Sequence, residues 1–142
     1  MKSMFSITFM LALAMFACSK EDGPTPAETP AEVAGALRSG SWQITYFWDS
    51  DHEETQHFTG YEFTFGNEGI LSASNGMVTV DGTWSTGSDD SRIQLIINFT
   101  SPAEFEELSD DWHVLDQTEN KIRLEDVSGG NGGTDYLTFE KL

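Results

Sequence analysis

From Trp42 onward, apolar and polar side chains trade places almost residue by residue, the period of a β-strand with one buried face. Trp42, Ile44, Tyr46 and Trp48 alternate with Gln43, Thr45 and Phe47, predicting a first strand with those four side chains inward. Tyr61, Phe63 and Phe65 alternate with Glu62 and Thr64, and Val78, Val80 and Trp84 share one face of a later strand. Gly82 falls among the last three, where a side chain would crowd the interior or the strand must bend. Asn67 to Gly69 and Asn75-Gly76 supply tight turns, so residues 60–85 read as three antiparallel strands. After a long polar turn over 85–91, Ile93, Leu95, Ile97 and Phe99 resume the alternation, with Ile96 facing out. Trp112 and Val114, Ile122 and Leu124, and Leu137 and Phe139 mark three more strands, parted by residues 117–120 and by the glycine-rich run 128–134.

Helical periodicity is brief. Residues 31–38 suit a short helix with Val33, Ala36 and Leu37 inward, ended by Gly40. Pro102 opens a helical turn through Phe105 and Leu108, early enough that its missing N–H does no harm.

Eight short strands joined in sequence leave two open sheet edges unless the sheet curls, and closure removes both. The predicted fold is mainly β: an eight-stranded antiparallel up-and-down barrel over residues 32–142, with a short N-terminal helix and one helical turn near 102–108. Each buried aromatic or aliphatic side chain contributes about 1.5 to 3 kcal/mol, enough together to offset much of the ordering entropy without disulfides. A barrel of this size is either filled by its own side chains or holds one small ligand. In the second case Trp42, Tyr46, Trp48, Tyr61, Phe63 and Trp84 are the candidate ligand-binding residues. Loop 49–59 and the segment before Trp42 would then form a lid over a small apolar or amphipathic molecule.

The N-terminus carries an address. Lys2 precedes an apolar run over residues 4–17 that is too short to span a bilayer, the pattern of a secretory signal occupying residues 1–17. Cys18, the one cysteine of the chain, follows Ala17 and resembles the lipobox cysteine of bacterial lipoproteins, which is acylated after cleavage. Ser19, Lys20, Glu21 and Asp22 are similar to the export signal of Bacteroidetes lipoproteins, which implies a lipid-anchored protein of the outer membrane facing outward. Pro24, Pro26 and Pro30 make residues 18–31 a semi-rigid tether with a reach on the order of 40 Å.

Charge narrows the partners. With 24 acidic against 7 basic residues the chain has a net charge of −17, which repels phosphate backbones and argues against nucleic acid. It suits solubility at a crowded surface, or else a cationic or metal-bridged partner.

Candidate chemistry is sparse. Asp49, Asp51, His52, Glu53, Glu54 and His57 gather carboxylates and imidazoles in nine residues, as a solvated turn or a cation-holding loop would. His52 to His57 resembles His-Glu-x-x-His with one residue too many, which on an α-helix puts the imidazoles on different faces and argues against zinc. The run from Gly129 to Asp135 resembles a single displaced copy of a calcium-binding glycine–aspartate repeat and reads as a hairpin. Glu104, Glu106, Glu107, Asp110 and Asp111 read as a solvated helix face. There is neither a nucleophile elbow nor a phosphate-cradling glycine loop, so the expectation is no catalytic residue, no cofactor and no metal.

Several motifs together carry a family resemblance. Leu37, Gly40 and Trp42 open the domain; Gly60-Tyr61-Glu62-Phe63-Thr64-Phe65 is followed by Gly69; Val80-Asp81-Gly82-Thr83-Trp84 and Ile93-Gln94-Leu95 come next. Phe105, Leu108, Trp112 and Val114 then precede a final Leu137-Thr138-Phe139-Glu140-Lys141. Over residues 37–142 this is similar to the lipocalin-like lipoprotein domains of Bacteroidetes. The resemblance implies a lipocalin-like barrel and a surface address, with either a ligand in the barrel mouth or a filled barrel serving protein–protein contact. The paired cysteines of transport lipocalins are absent.

Overall fold

Thr29 caps the first helix: its hydroxyl accepts from the Glu32 amide while the Glu32 carboxylate accepts from the Thr29 amide. Pro30 takes the first helical position, where no amide hydrogen is needed. In the computed structural model, which describes residues 29–128 and 133–142, helix α1 (Pro30–Arg38) thus begins within the segment expected to be tether. It buries Val33, Ala34 and Leu37; Ala36, expected inward, is half-buried at the edge of that stripe. The signal segment 1–17, Cys18 and Ser19, Lys20, Glu21 and Asp22 lie outside the described residues, as do residues 129–132 of the glycine-rich hairpin.

The strands are β1 (Ser41–Asp49), β2 (His52–Glu53), β3 (Glu62–Phe65), β4 (Ile70–Ser74), β5 (Thr79–Asp89), β6 (Arg92–Asn98), β7 (Asp110–Gln117), β8 (Lys121–Val127) and β9 (Thr134–Lys141). Every neighbouring pair is antiparallel, and β1 bonds to β9 as well as to β3, so eight strands close into a barrel. β2 is a two-residue flap folded back on Trp48 and Asp49. A single helical turn, α2 (Ala103–Glu106), joins β6 to β7.

The turns follow their chemistry. Gly69 and Gly76 have positive φ, and the Asn75 side-chain oxygen accepts from the amides of Met77 and Val78. Val78 therefore belongs to the turn and is 51% exposed, not inward with Val80 and Trp84. The long polar turn expected over 85–91 is mostly strand: Ser85 to Asp89 pair with Ile96 to Arg92, and only Asp90 and Ser91, both with positive φ, make the reversal. Serine, threonine and glycine there satisfy the backbone ladder without supplying the apolar alternation that marks a strand.

The largest departure from simple alternation is in β1. Its register with β9 shifts between Ile44 and Tyr46, where a β-bulge leaves Thr45 without a partner. One extra residue flips every later side chain. Phe47, expected outward, is 1% exposed and lies opposite inward Leu137; Tyr46 and Trp48 lie opposite Thr138 and Tyr136 on the outer face. The inward placement of Tyr46 and Trp48 is thus corrected. Phe47 has no polar tip to satisfy, and its ring packs edge-on against Phe58 and Trp112 at 5.7 and 6.4 Å.

Inside, the rings interlock. Phe63 and Phe65 both meet Phe139, Phe65 meets Trp84 at 5.2 Å, and Phe105 meets Phe99, Phe58 and Tyr61. The buried indoles are satisfied by backbone: Trp42 Nε1 donates to the Leu37 carbonyl, Trp84 Nε1 to Gly66 and Trp112 Nε1 to Leu108. α1 covers the end of the barrel where β1 starts. At the other end β3 pairs only with Ser41 and Trp42 of β1, and the gap above them is closed by the 3₁₀ turn Thr55–Phe58, which inserts Phe58 among Phe47, Phe63 and Phe105. The two segments expected to form one lid therefore sit at opposite ends.

Candidate functional site at the acidic barrel mouth

The inward positions of β7, β8 and β9 run Asp110 then Trp112, Leu124 then Asp126, and Asp135 then Leu137. The apolar column of each strand thus ends in an aspartate at the same rim, remote from α1. Asp126 and Asp135 are direct cross-strand partners, and carboxylate oxygens of Asp110, Asp126 and Asp135 all lie within 4.8 Å of one another. The β1 bulge puts Asp49 on the inward side at this rim as well.

Burial holds the Asp110 carboxyl above the usual range, reinforced by the charge of Asp126. Asp135 is raised for the same reason, with Asp49 and Asp110 adding to it; the Ser50 amide, donating to Asp135 Oδ1 at 2.7 Å, opposes the shift.

The second half of the mouth comes from the loop over Phe58 and from α2. Glu54 precedes the 3₁₀ turn, and its amide donates to the Phe47 carbonyl at 2.9 Å, fixing it beside β1. Its side chain is buried among residues that are themselves exposed: Glu54 Oε1 contacts His52 Nε2, and Oε2 lies 3.7 Å from His57 Nδ1. Glu107, the residue closing α2, brings its carboxylate to the same place; Glu54, His57 and Glu107 have ligand-type atoms within 4.8 Å of one another. Two carboxylates in contact are stable only if a proton or cation lies between them. The hydrogen bond to Glu54 accordingly pushes the Glu107 carboxyl up to about 7, with burial and the charges of Glu54, Asp49 and Glu104 in the same direction. Glu54 moves below its usual range because Glu107 and His52 donate to it. Hydrogen bonds to Asp51 and Glu54 raise His52.

Basic side chains are elsewhere. Among the described residues Arg38, Arg92, Lys121, Arg123 and Lys141 lie on α1 or toward its end of the barrel. Arg38 stacks over Trp84 and Lys141 over Trp42, and Arg92 and Arg123 pair with Glu125 and Asp116. The mouth thus carries no lysine or arginine among the described residues, whereas at the helix end basic and acidic side chains are mixed.

Of the candidate ligand-binding residues, Trp42, Phe63 and Trp84 are core, Tyr61 is half-buried against Phe105, and Tyr46 and Trp48 are outside beside Tyr136. These six do not converge on one site. Phe58 was hidden by its acidic flanks. Glu107 read as solvated helix face, since its partners lie some fifty positions earlier in the chain.

No known protein family matches this sequence, and no curated protein does. Among solved structures, that of a DUF4847 family protein from Bacteroides vulgatus ATCC 8482 is similar, with a TM-score of 0.50 at 20% identity. The match covers 76% of this chain and 96% of that one. At that identity the likeness concerns the barrel fold alone.

Proposed function

We propose that this chain is a lipid-anchored, non-catalytic interaction module, in which a filled lipocalin-like barrel rigidly supports an acidic mouth that engages a basic protein surface. The observation that carries the reading is the placement of the aromatics. Trp42, Phe63 and Trp84, which a ligand cavity would need as lining, are packed against neighbouring rings or bonded to backbone. Tyr46, Trp48 and Tyr136 instead form an outward strip at the rim next to Asp49 and Asp135. An aromatic strip bordering a charged patch is the composition of a protein contact surface.

The position of the mouth, opposite α1, suits the proposed anchor. With Cys18 acylated, the tether would join the membrane to the α1 end, so the acidic mouth, at the opposite end of the barrel, would face the medium. That arrangement supports an outward-facing outer-membrane protein. Catalysis has less support: glycoside-cleaving carboxylates flank a substrate, whereas the Glu54 and Glu107 carboxyls hydrogen-bond to each other and leave no room between them.

The test is binding of a lysine-rich peptide to the purified protein at increasing salt. The reading expects binding that weakens as salt screens it and that is lost in Asp49→Asn/Asp126→Asn/Asp135→Asn. Equal binding by that triple variant would overturn it.

A further inference from the structure

We propose that Glu54, His57 and Glu107 form a binding site for one divalent ion of the zinc class at the rim of the mouth. The sequence spacing of His52 and His57 argues against zinc, but that argument assumes an α-helix and the wrong pair. The local structure is a 3₁₀ turn, in which residues three apart eclipse, and it sets Glu54 and His57 on one face. Glu107 completes the set from α2, across the gap between β1 and β3.

Glu54 supplies the independent sign of a missing ligand. It is only 8% exposed, and its Oε2 is fully buried and accepts no hydrogen bond unless Glu107 carries a proton. A buried carboxylate oxygen without a donor carries a desolvation penalty that native structures seldom leave unanswered. This oxygen points at His57 Nδ1, 3.7 Å away. Ligand atoms about 2.1 Å from a tetrahedral ion stand roughly 3.4 Å apart, so that pair already has nearly the required separation.

The surroundings fit a metal site. His52 holds the other Glu54 oxygen, and Asp51 in turn holds His52, a carboxylate–imidazole chain of the kind that orients metal-bound carboxylates. One imidazole with two carboxylates selects zinc and its first-row neighbours over calcium or magnesium, which favour all-oxygen shells. Three protein ligands leave a further position open to water or to a donor from a partner. Asp49 and Glu104 add negative potential at the site, and no lysine or arginine among the described residues competes for it.

The proposal stands apart from the partner reading, since ion uptake is measured on the purified protein alone. Metal-stripped protein is dialysed against zinc chloride at pH 7.5 and its bound zinc counted, with cobalt(II) as a spectroscopic substitute. The expected result is one zinc per chain, a raised Tm and the visible absorption of cobalt in a nitrogen–oxygen site. All three should be lost in Glu107→Gln and in His57→Asn and retained in Asp126→Asn. Both lost residues are exposed, so their variants should fold, with far-ultraviolet circular dichroism as the check. Failure to take up zinc or cobalt overturns the proposal and leaves a shared proton between Glu54 and Glu107; uptake unchanged in both variants overturns it equally.

Discussion

Gly82 lies directly beneath Phe99: a Cβ on Gly82 would stand 2.6 Å from Phe99 Cδ1 and 2.5 Å from the carbonyl oxygen of Asn98. Neither neighbour can retreat, one being backbone of β6 and the other a buried ring. Gly82→Ala should destabilise the barrel by about 1 to 3 kcal/mol through overpacking. Denaturant titration checks this, and unchanged stability would mean that β5 and β6 stand further apart.

The bulge at Thr45 makes a paired prediction. Phe47→Ala should cost about 3 to 5 kcal/mol as a core truncation, whereas Tyr46→Ala, on the outer face, should cost no more than about 1 kcal/mol. Urea midpoints of the two variants decide it. The reverse order would restore unbroken alternation through Trp48 and remove the bulge.

How much of this the sequence disclosed depends on where side-chain period and local geometry agree. Phe63 and Phe65 inward, Gly82 as a close approach and the turns at Gly69 and Gly76 were all legible, because each rests on residues adjacent in the chain. β1 was not, since Tyr46, Phe47 and Trp48 are all large and aromatic and either face could take any of them. Polarity concealed the rest: Ser85 to Asp89 look like a turn, and Phe58 sits in an acidic loop that folds inward. Glu107 meets Glu54 only after β3 to β6 have been laid down.

Stability of the metal-free protein should fall as pH rises through neutrality. Glu107 is raised from 4.5 to about 7, and Asp110, Asp135 and His52 are raised too. A group whose folded pKa is raised stabilises fully below its unfolded pKa and loses that contribution as pH climbs through the folded value. Glu54, shifted the other way, loses its contribution only on acidification below its unfolded value of 4.5. Tm in chelator should therefore be higher near pH 5.5 than near pH 7.5, and Glu107→Gln should flatten much of that slope. A Tm that rises over this interval contradicts the account of the mouth.

Phe58 closes the barrel between β1 and β3. Phe58→Ala should cost about 3 to 5 kcal/mol and open a path to Phe47, Phe63 and Phe105. In a Trp48→Phe background, which removes the outward indole, acrylamide quenching of tryptophan emission should be weak and should increase when Phe58→Ala is added. Unaltered quenching with native stability would show that the 3₁₀ turn merely rests on the surface.

The most direct measurement of a filled barrel is titration of the purified protein with an apolar fluorescent probe, following both probe and tryptophan emission. The account predicts no saturable response from the parent protein. Saturable one-to-one binding that shifts tryptophan emission and is abolished by Trp84→Phe or Phe63→Leu would contradict it and return the interior to the role of a ligand cavity.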